Sequence, residues 1–98
     1  MSLHHLRKQI DRMDDQIVRL LIRRLELAQR IGNLKMRNGN KVYNRRRERQ
    51  ILSRLSTGLK GPLTDRELRS IYQRILKVSR DHQKRVLTCY FPRSERGK

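Results

Sequence analysis

"LRKQIDRMDDQIVRLLIRRLELAQRIGNLK", residues 6 to 35, decides the architecture. Its apolar residues Leu6, Ile10, Met13, Ile17, Leu20, Leu27, Ile31 and Leu34 recur at steps of three and four, with one position missing. A strand would alternate every second residue; this spacing keeps the apolar side chains on one stripe of a helix. No Pro or Gly interrupts the stretch before Gly32. A seam of this length predicts one long helix packed along a partner. At about 1.5 Å per residue, thirty residues reach roughly 45 Å. No monomeric globule of 98 residues needs a helix that long, whereas a dimer that shares it does.

Two shorter helices follow. "RNGNK" (37 to 41) is a break, with Gly39 between two asparagines. The second helix begins near Asn44, a good N-cap type, and turns Ile51, Leu52 and Leu55 inward. Gly58, Gly61 and Pro62 end it. Thr64 and Glu67 form a capping box for the third helix, with Leu63 and Leu68 spaced for a hydrophobic staple. Leu68, Ile71, Tyr72, Ile75, Val78 and Val86 are expected on its apolar face. The fold class is therefore all-α, with three helices per chain. Residues 1–88 form one helical domain, and 89–98 are a loose basic tail.

Leu, Ile, Val and Phe make up 26 of the 98 residues. That exceeds the roughly 20% below which disorder is expected, so the chain should fold. Its net charge is +17 and its pI about 11.6. Three readings fit that charge: solubility, a nucleic-acid surface, or a site for a small anion with surplus charge steering it in. Cys89 is the lone cysteine, which rules out a disulfide within the chain and suits a reducing compartment. With no signal peptide and no apolar run near 18 residues, a cytoplasmic protein is expected. His4, His5 and His82 form no metal-ligand pattern.

Several polar residues fall on faces that should be apolar. Arg24 occupies the missing position of the seam. A buried guanidinium needs an anion. Either an acid such as Glu48 pairs with it, or it holds a ligand carboxylate in its planar fork. Lys35, eleven residues on, projects from nearly the same side about 16 Å further along. "VYNRRRERQIL" (42 to 52) places Asn44, Arg47 and Glu48 on one helical face. Arg45, Arg46 and Arg49 then point to solvent. Ser79 and Gln83, four apart, lie on or beside the inner side of the third helix. For Ser79 the bland reading is a bond back to its own helix, and for Gln83 it is solvent exposure. Together these residues supply cations, an amide, a hydroxyl and one acid. There is no Cys–His or Ser–His pair and no second inward carboxylate. The set binds; it does not attack.

These residues resemble a known family, the all-helical (type II) chorismate mutases. Residues 6 to 35 carry its Arg–x–x–Ile–Asp–x–hydrophobic–Asp opening and its E-L-A-x-x-I-G-x-x-K stretch. Residues 42 to 52 resemble its V-x-D-x-x-R-E second helix, and "YQRILKVSRDHQ" (72 to 83) its hydrophobic–Ser–x–x–x–Gln close. The resemblance implies an intertwined, domain-swapped homodimer that rearranges chorismate to prephenate in aromatic amino-acid biosynthesis. That step is pericyclic and calls for no cofactor and no metal. By the same resemblance, Arg24 and Arg7 bind the substrate carboxylates, and Arg47 supports that frame. Lys35 and Gln83 donate to the ether oxygen, Glu48 accepts from the ring hydroxyl, and Ser79 adds a carboxylate contact. The family commonly has Asp where this chain has Asn44, a position that helps receive the hydroxyl. Arg7 and Arg24 are seventeen residues apart, about 25 Å along one helix and roughly 100° apart in direction. If both belong to one site, Arg7 comes from the partner chain.

Rival readings remain at the level of sequence. An isochorismate-pyruvate lyase shares the fold and also uses arginines and a lysine. A basic nucleic-acid-binding helical protein fits the charge, but three Tyr and one Phe offer little stacking surface. A non-catalytic relative that docks onto another shikimate-pathway enzyme through the basic tail is the third.

Overall fold

A computed structural model of the chain describes residues 2–37, 39 and 44–89, with the side chains of Met36 and of 85–89 excepted. Helix α1 runs Leu3–Arg37, α2 Arg45–Thr57 and α3 Asp65–Cys89. No strand occurs among the described residues. Nor is any described helix long and apolar enough to cross a membrane. The 35-residue α1 sets the longest dimension of the chain, 53 Å. The expected inward position Val86 and the tail beyond Cys89 lie outside the described side chains and residues.

Local chemistry explains each boundary. At the start of α1, Ser2 Oγ accepts from the backbone N–H of His5 at 3.1 Å. Gly39, in the break after α1, sits at φ +74, a left-handed conformation that costs glycine little. Asn44 caps α2: its extended backbone turns Oδ1 toward the Arg47 N–H, at 3.0 Å. Gly61 takes φ +81 in the turn before Pro62. The capping box of α3 is complete, with Glu67 N–H on Thr64 Oγ1 at 3.2 Å and Thr64 N–H on Glu67 Oε1 at 3.0 Å. Asp65 clasps the α2–α3 corner. It accepts from the Ser56 hydroxyl and, at 3.0 Å, from Arg69 Nε.

Helix α3 is the hub. Both α1 and α2 pack on it, and among the described residues α1 and α2 do not pack on each other. Ile51 and Leu52 of α2 and Leu76 of α3 form the core, flanked by Leu55 and Tyr72. The inward assignment of Ile51, Leu52 and Leu55 therefore holds. Two assignments on α3 change. Leu76 is the most buried core residue, at 4% exposure, and sequence spacing does not single it out. Ile71, expected inside, is 54% exposed. In a single chain, α3 has only α1 and α2 to turn toward.

The seam of α1 is also not the face buried within the chain. Leu6, Ile10, Met13, Ile17, Leu20, Leu27, Ile31 and Leu34 are all exposed. Toward α3, α1 turns Leu21, Leu25, Ala28 and Gly32 instead, with Ala28 and Gly32 buried. The small residues set the approach. A Cβ at Gly32 would lie 3.4 Å from the Cβ and Cγ of Gln83, in van der Waals contact, so α1 and α3 approach closely there.

Candidate active site

Where α1 and α2 diverge over α3, they leave a cavity of about 160 Å³. Helix α1 contributes Arg24, Ile31 and Lys35 to its wall; α2 contributes Asn44, Arg47 and Glu48 from its first turn; α3 contributes Ser79, Arg80 and Gln83. Leu27, Ala28, Ile51 and Leu76 supply an apolar lining. Every residue singled out from the sequence reaches this one cavity, except Arg7. Arg7 is exposed near the start of α1 and takes no part in the wall. Arg45, Arg46 and Arg49 are exposed and also lie off it.

Arg24 does not pair with Glu48. Its Nη1 donates to Ser79 Oγ at 2.7 Å, and its Cζ stands 5.6 Å from the centre of the Tyr72 ring. Ser79 is 7% exposed and accepts from another helix rather than merely bonding back along its own. Gln83 is half-buried, and its Nε2 donates to the Ala28 carbonyl at 2.9 Å. A carboxamide nitrogen carries two hydrogens, so this bond orients the group and leaves a second donor.

Glu48 has a different partner. Arg80 Nη1 donates to both of its oxygens, at 2.7 and 2.8 Å. Sequence reasoning missed Arg80. The signal was there: a half-buried acid at the start of α2 calls for a cation, and Arg80 lies beside Ser79 and one turn before Gln83. Asn44 Oδ1 is committed to capping α2, which explains a polar residue at that position without reference to a ligand.

The wall thus holds four cationic side chains (Arg24, Lys35, Arg47 and Arg80) against one carboxylate, Glu48. It holds no histidine and no cysteine. That charge balance favours a small anion with more than one acidic group, and the donor set suits binding and electrostatic stabilisation rather than nucleophilic attack.

Known proteins are similar to this chain in sequence and fold. The profile of the family "Chorismate mutase type II" matches residues 6–84. The bifunctional chorismate mutase/prephenate dehydratase of Aquifex aeolicus (strain VF5) is 36% identical over 93 residues, which are 91% of this chain and 26% of that protein. The chain thus spans about a quarter of the length of that curated relative. Chorismate mutase from Helicobacter pylori, solved in complex with prephenate, superposes with a TM-score of 0.81 at 35% identity, covering 88% of this chain and 93% of that one. Form II of chorismate mutase from Thermus thermophilus gives 0.83 at 36% identity, covering 85% and 94%. With the matched region spanning nearly all of the three helices, the chain belongs to the chorismate mutase type II family.

Proposed function

We propose that the chain is a chorismate mutase, an isomerase that converts chorismate to prephenate, and that it works as a domain-swapped homodimer. The observation that carries this reading is the convergence of Arg24, Lys35, Glu48, Ser79 and Gln83 from three helices on one cationic cavity. The prephenate held by the Helicobacter pylori relative supports it.

The chemistry asks little of the protein in covalent terms. Within one substrate molecule the ether C–O bond breaks as a C–C bond forms, and no atom leaves or enters. The protein must hold the substrate folded so that the two carbons meet, and must stabilise the charge that gathers on the ether oxygen. Arg24 takes a carboxylate. Ser79 Oγ accepts from Arg24, so its own hydrogen is left to donate to a carboxylate as well. Lys35 and the second N–H of Gln83 serve the ether oxygen. Glu48 accepts from the ring hydroxyl, and Arg47 completes the positive frame. The site needs neither metal nor cofactor.

The dimer supplies what one chain lacks. The eight apolar seam residues of α1 are exposed along its length, and fully burying a Leu or Ile side chain yields about 1.5–3 kcal/mol. An α1 helix of a second copy is an occupant of matching length and pattern. The swap also delivers Arg7, which stands about 25 Å from Arg24 along its own helix, to the other chain's cavity. The lone Cys89 is in keeping with a cytoplasmic protein.

The test is chorismate consumption by the purified protein, followed through its diene absorbance, with Arg24→Ala beside it. Conversion to prephenate by the wild type and its loss in the variant support the reading. A wild type that leaves chorismate untouched overturns it.

A further inference from the structure

The Arg80–Glu48 pair joins the two walls of the cavity that the capping turn of α2 and the middle of α3 supply. Arg80 approaches through a single nitrogen, Nη1, which reaches Glu48 Oε1 and Oε2 at 2.7 and 2.8 Å. A carboxylate offers about four lone-pair sites. A donor centred between the oxygens takes the two inner ones and fixes the plane of the group. The outer two are left for other donors. The side chains of Arg80 and Glu48 are only 26% and 18% exposed, so water screens the pair weakly. Both line the same cavity as Arg24 and Lys35.

Other contacts besides the pair hold α2 in place. Ile51 and Leu52 of α2 pack on Leu76 of α3, with Leu55 and Tyr72 against them, and the Ser56–Asp65 clasp closes the far end. What the pair adds is control of one carboxylate. Without Arg80, Glu48 is free to turn toward Arg24, Lys35 or Arg47, the other cations of the wall. A carboxylate that moves onto those groups both abandons its acceptor position and occupies the cations that a dianionic substrate requires.

We infer that Arg80 is a positioning residue: it holds Glu48 against α3 as the acceptor for the substrate's ring hydroxyl and keeps that carboxylate off the substrate-binding cations. This rests on the mutase reading and deepens it. The hydroxyl takes no part in the bond changes, so its contact stabilises bound substrate and transition state alike, and its loss falls on KM rather than kcat. A residue that merely strapped α2 to α3 would, on removal, lower the folded fraction and hence the apparent kcat.

The experiment measures kcat and KM for chorismate in wild type, Arg80→Met, Arg80→Lys, Glu48→Gln and the double variant Glu48→Gln/Arg80→Met. Arg80→Met is expected to raise KM about tenfold with kcat within about threefold of wild type. Arg80→Lys should recover most of the KM, because one nitrogen makes both contacts and an ammonium can stand in for it. On the Glu48→Gln background, Arg80→Met should add no further rise. If Arg80→Met does not fold, Arg80→Gln is read in its place. A KM within twofold of wild type, or the same proportional rise with Glu48 already replaced, overturns the role. A wild type inactive on chorismate is a separate outcome, visible without any variant; it overturns the mutase reading and this role with it.

Discussion

Arg24 and Ser79, 55 residues apart in the chain, meet at 2.7 Å across the packing of α1 on α3. The guanidinium donates and the hydroxyl accepts, so a buried serine fixes the direction of the cation that the apolar seam left unexplained. Tyr72 backs the same guanidinium with its ring. Replacing Ser79 with Ala removes a bond to a charged group and should cost about 1.5–3 kcal/mol of stability, read by urea denaturation. Arg24→Ala should lower kcat/KM by about 10²–10³. Arg24→Lys should restore little of that, because an ammonium lacks the planar fork.

The arginine run of α2 divides by direction. Arg47 lines the cavity, and its neighbours Arg45, Arg46 and Arg49 do not. Arg47→Ala should reduce kcat/KM by at least about tenfold, while Arg45→Ala, a change on an exposed face, should stay within about twofold. Equal losses in the two variants would sink the division.

The proposed sharing of sites between chains has a quantitative signature. Arg7→Ala and Arg24→Ala should each be nearly inactive as pure dimers. Unfolded together at equal concentration and refolded, about half of the dimers pair one variant with the other, and each such dimer rebuilds one of its two sites. Activity should return to about a quarter of wild type. No recovery, with mixed dimers demonstrated by mass spectrometry, would place Arg7 outside the site.

Asn44 acts through its cap. Asn and Asp cap equally well, whereas Ala does not. Asn44→Ala should therefore lose about 1 kcal/mol of stability, and Asn44→Asp should leave the thermal midpoint nearly unchanged. With the cap preserved, kcat/KM of Asn44→Asp should remain within about threefold of wild type. A much larger change would give the side chain a direct role with substrate.

Three surface carboxylates link stability to pH. Asp65 is held below its ordinary 3.8 first by the Ser56 hydroxyl and then by Arg69. Glu67 is held below 4.5 by the Thr64 backbone N–H and then its hydroxyl, and Asp81 below 3.8 chiefly by Lys77. A depressed folded value means that the native chain binds fewer protons than the unfolded one just below these ordinary values. The stabilisation is complete above them and is lost as pH falls through the folded values. Thermal midpoints should hold level down to about pH 5 and decline below about pH 4. Asp65→Asn should make that acid decline shallower, which a melting series from pH 6 to pH 3 measures.

Much of this protein is determined by sequence alone, because the signals concerned are local. The three- and four-residue steps of α1 specify a helix whatever it packs on. Thr64 with Glu67 and Asn44 with the Arg47 N–H specify caps within one turn. Of the cavity set, Arg24 was legible because it stood where the seam wanted an apolar residue, whereas Arg47 with Glu48 and Ser79 with Gln83 were legible as shared helical faces, and the family resemblance joined them and Lys35 to one site. Tertiary structure decided the rest. Which partner each polar group takes depends on how two helices are rotated about their axes, and spacing along one helix carries no such information. Hence Arg24 meets Ser79 rather than Glu48, and Glu48 meets Arg80. Likewise, α1 packs on α3 through Leu21, Leu25, Ala28 and Gly32, where the small Ala28 and Gly32 let the two helices approach closely. The apolar stripe offset from it by one residue, roughly 100° around the helix, is left exposed.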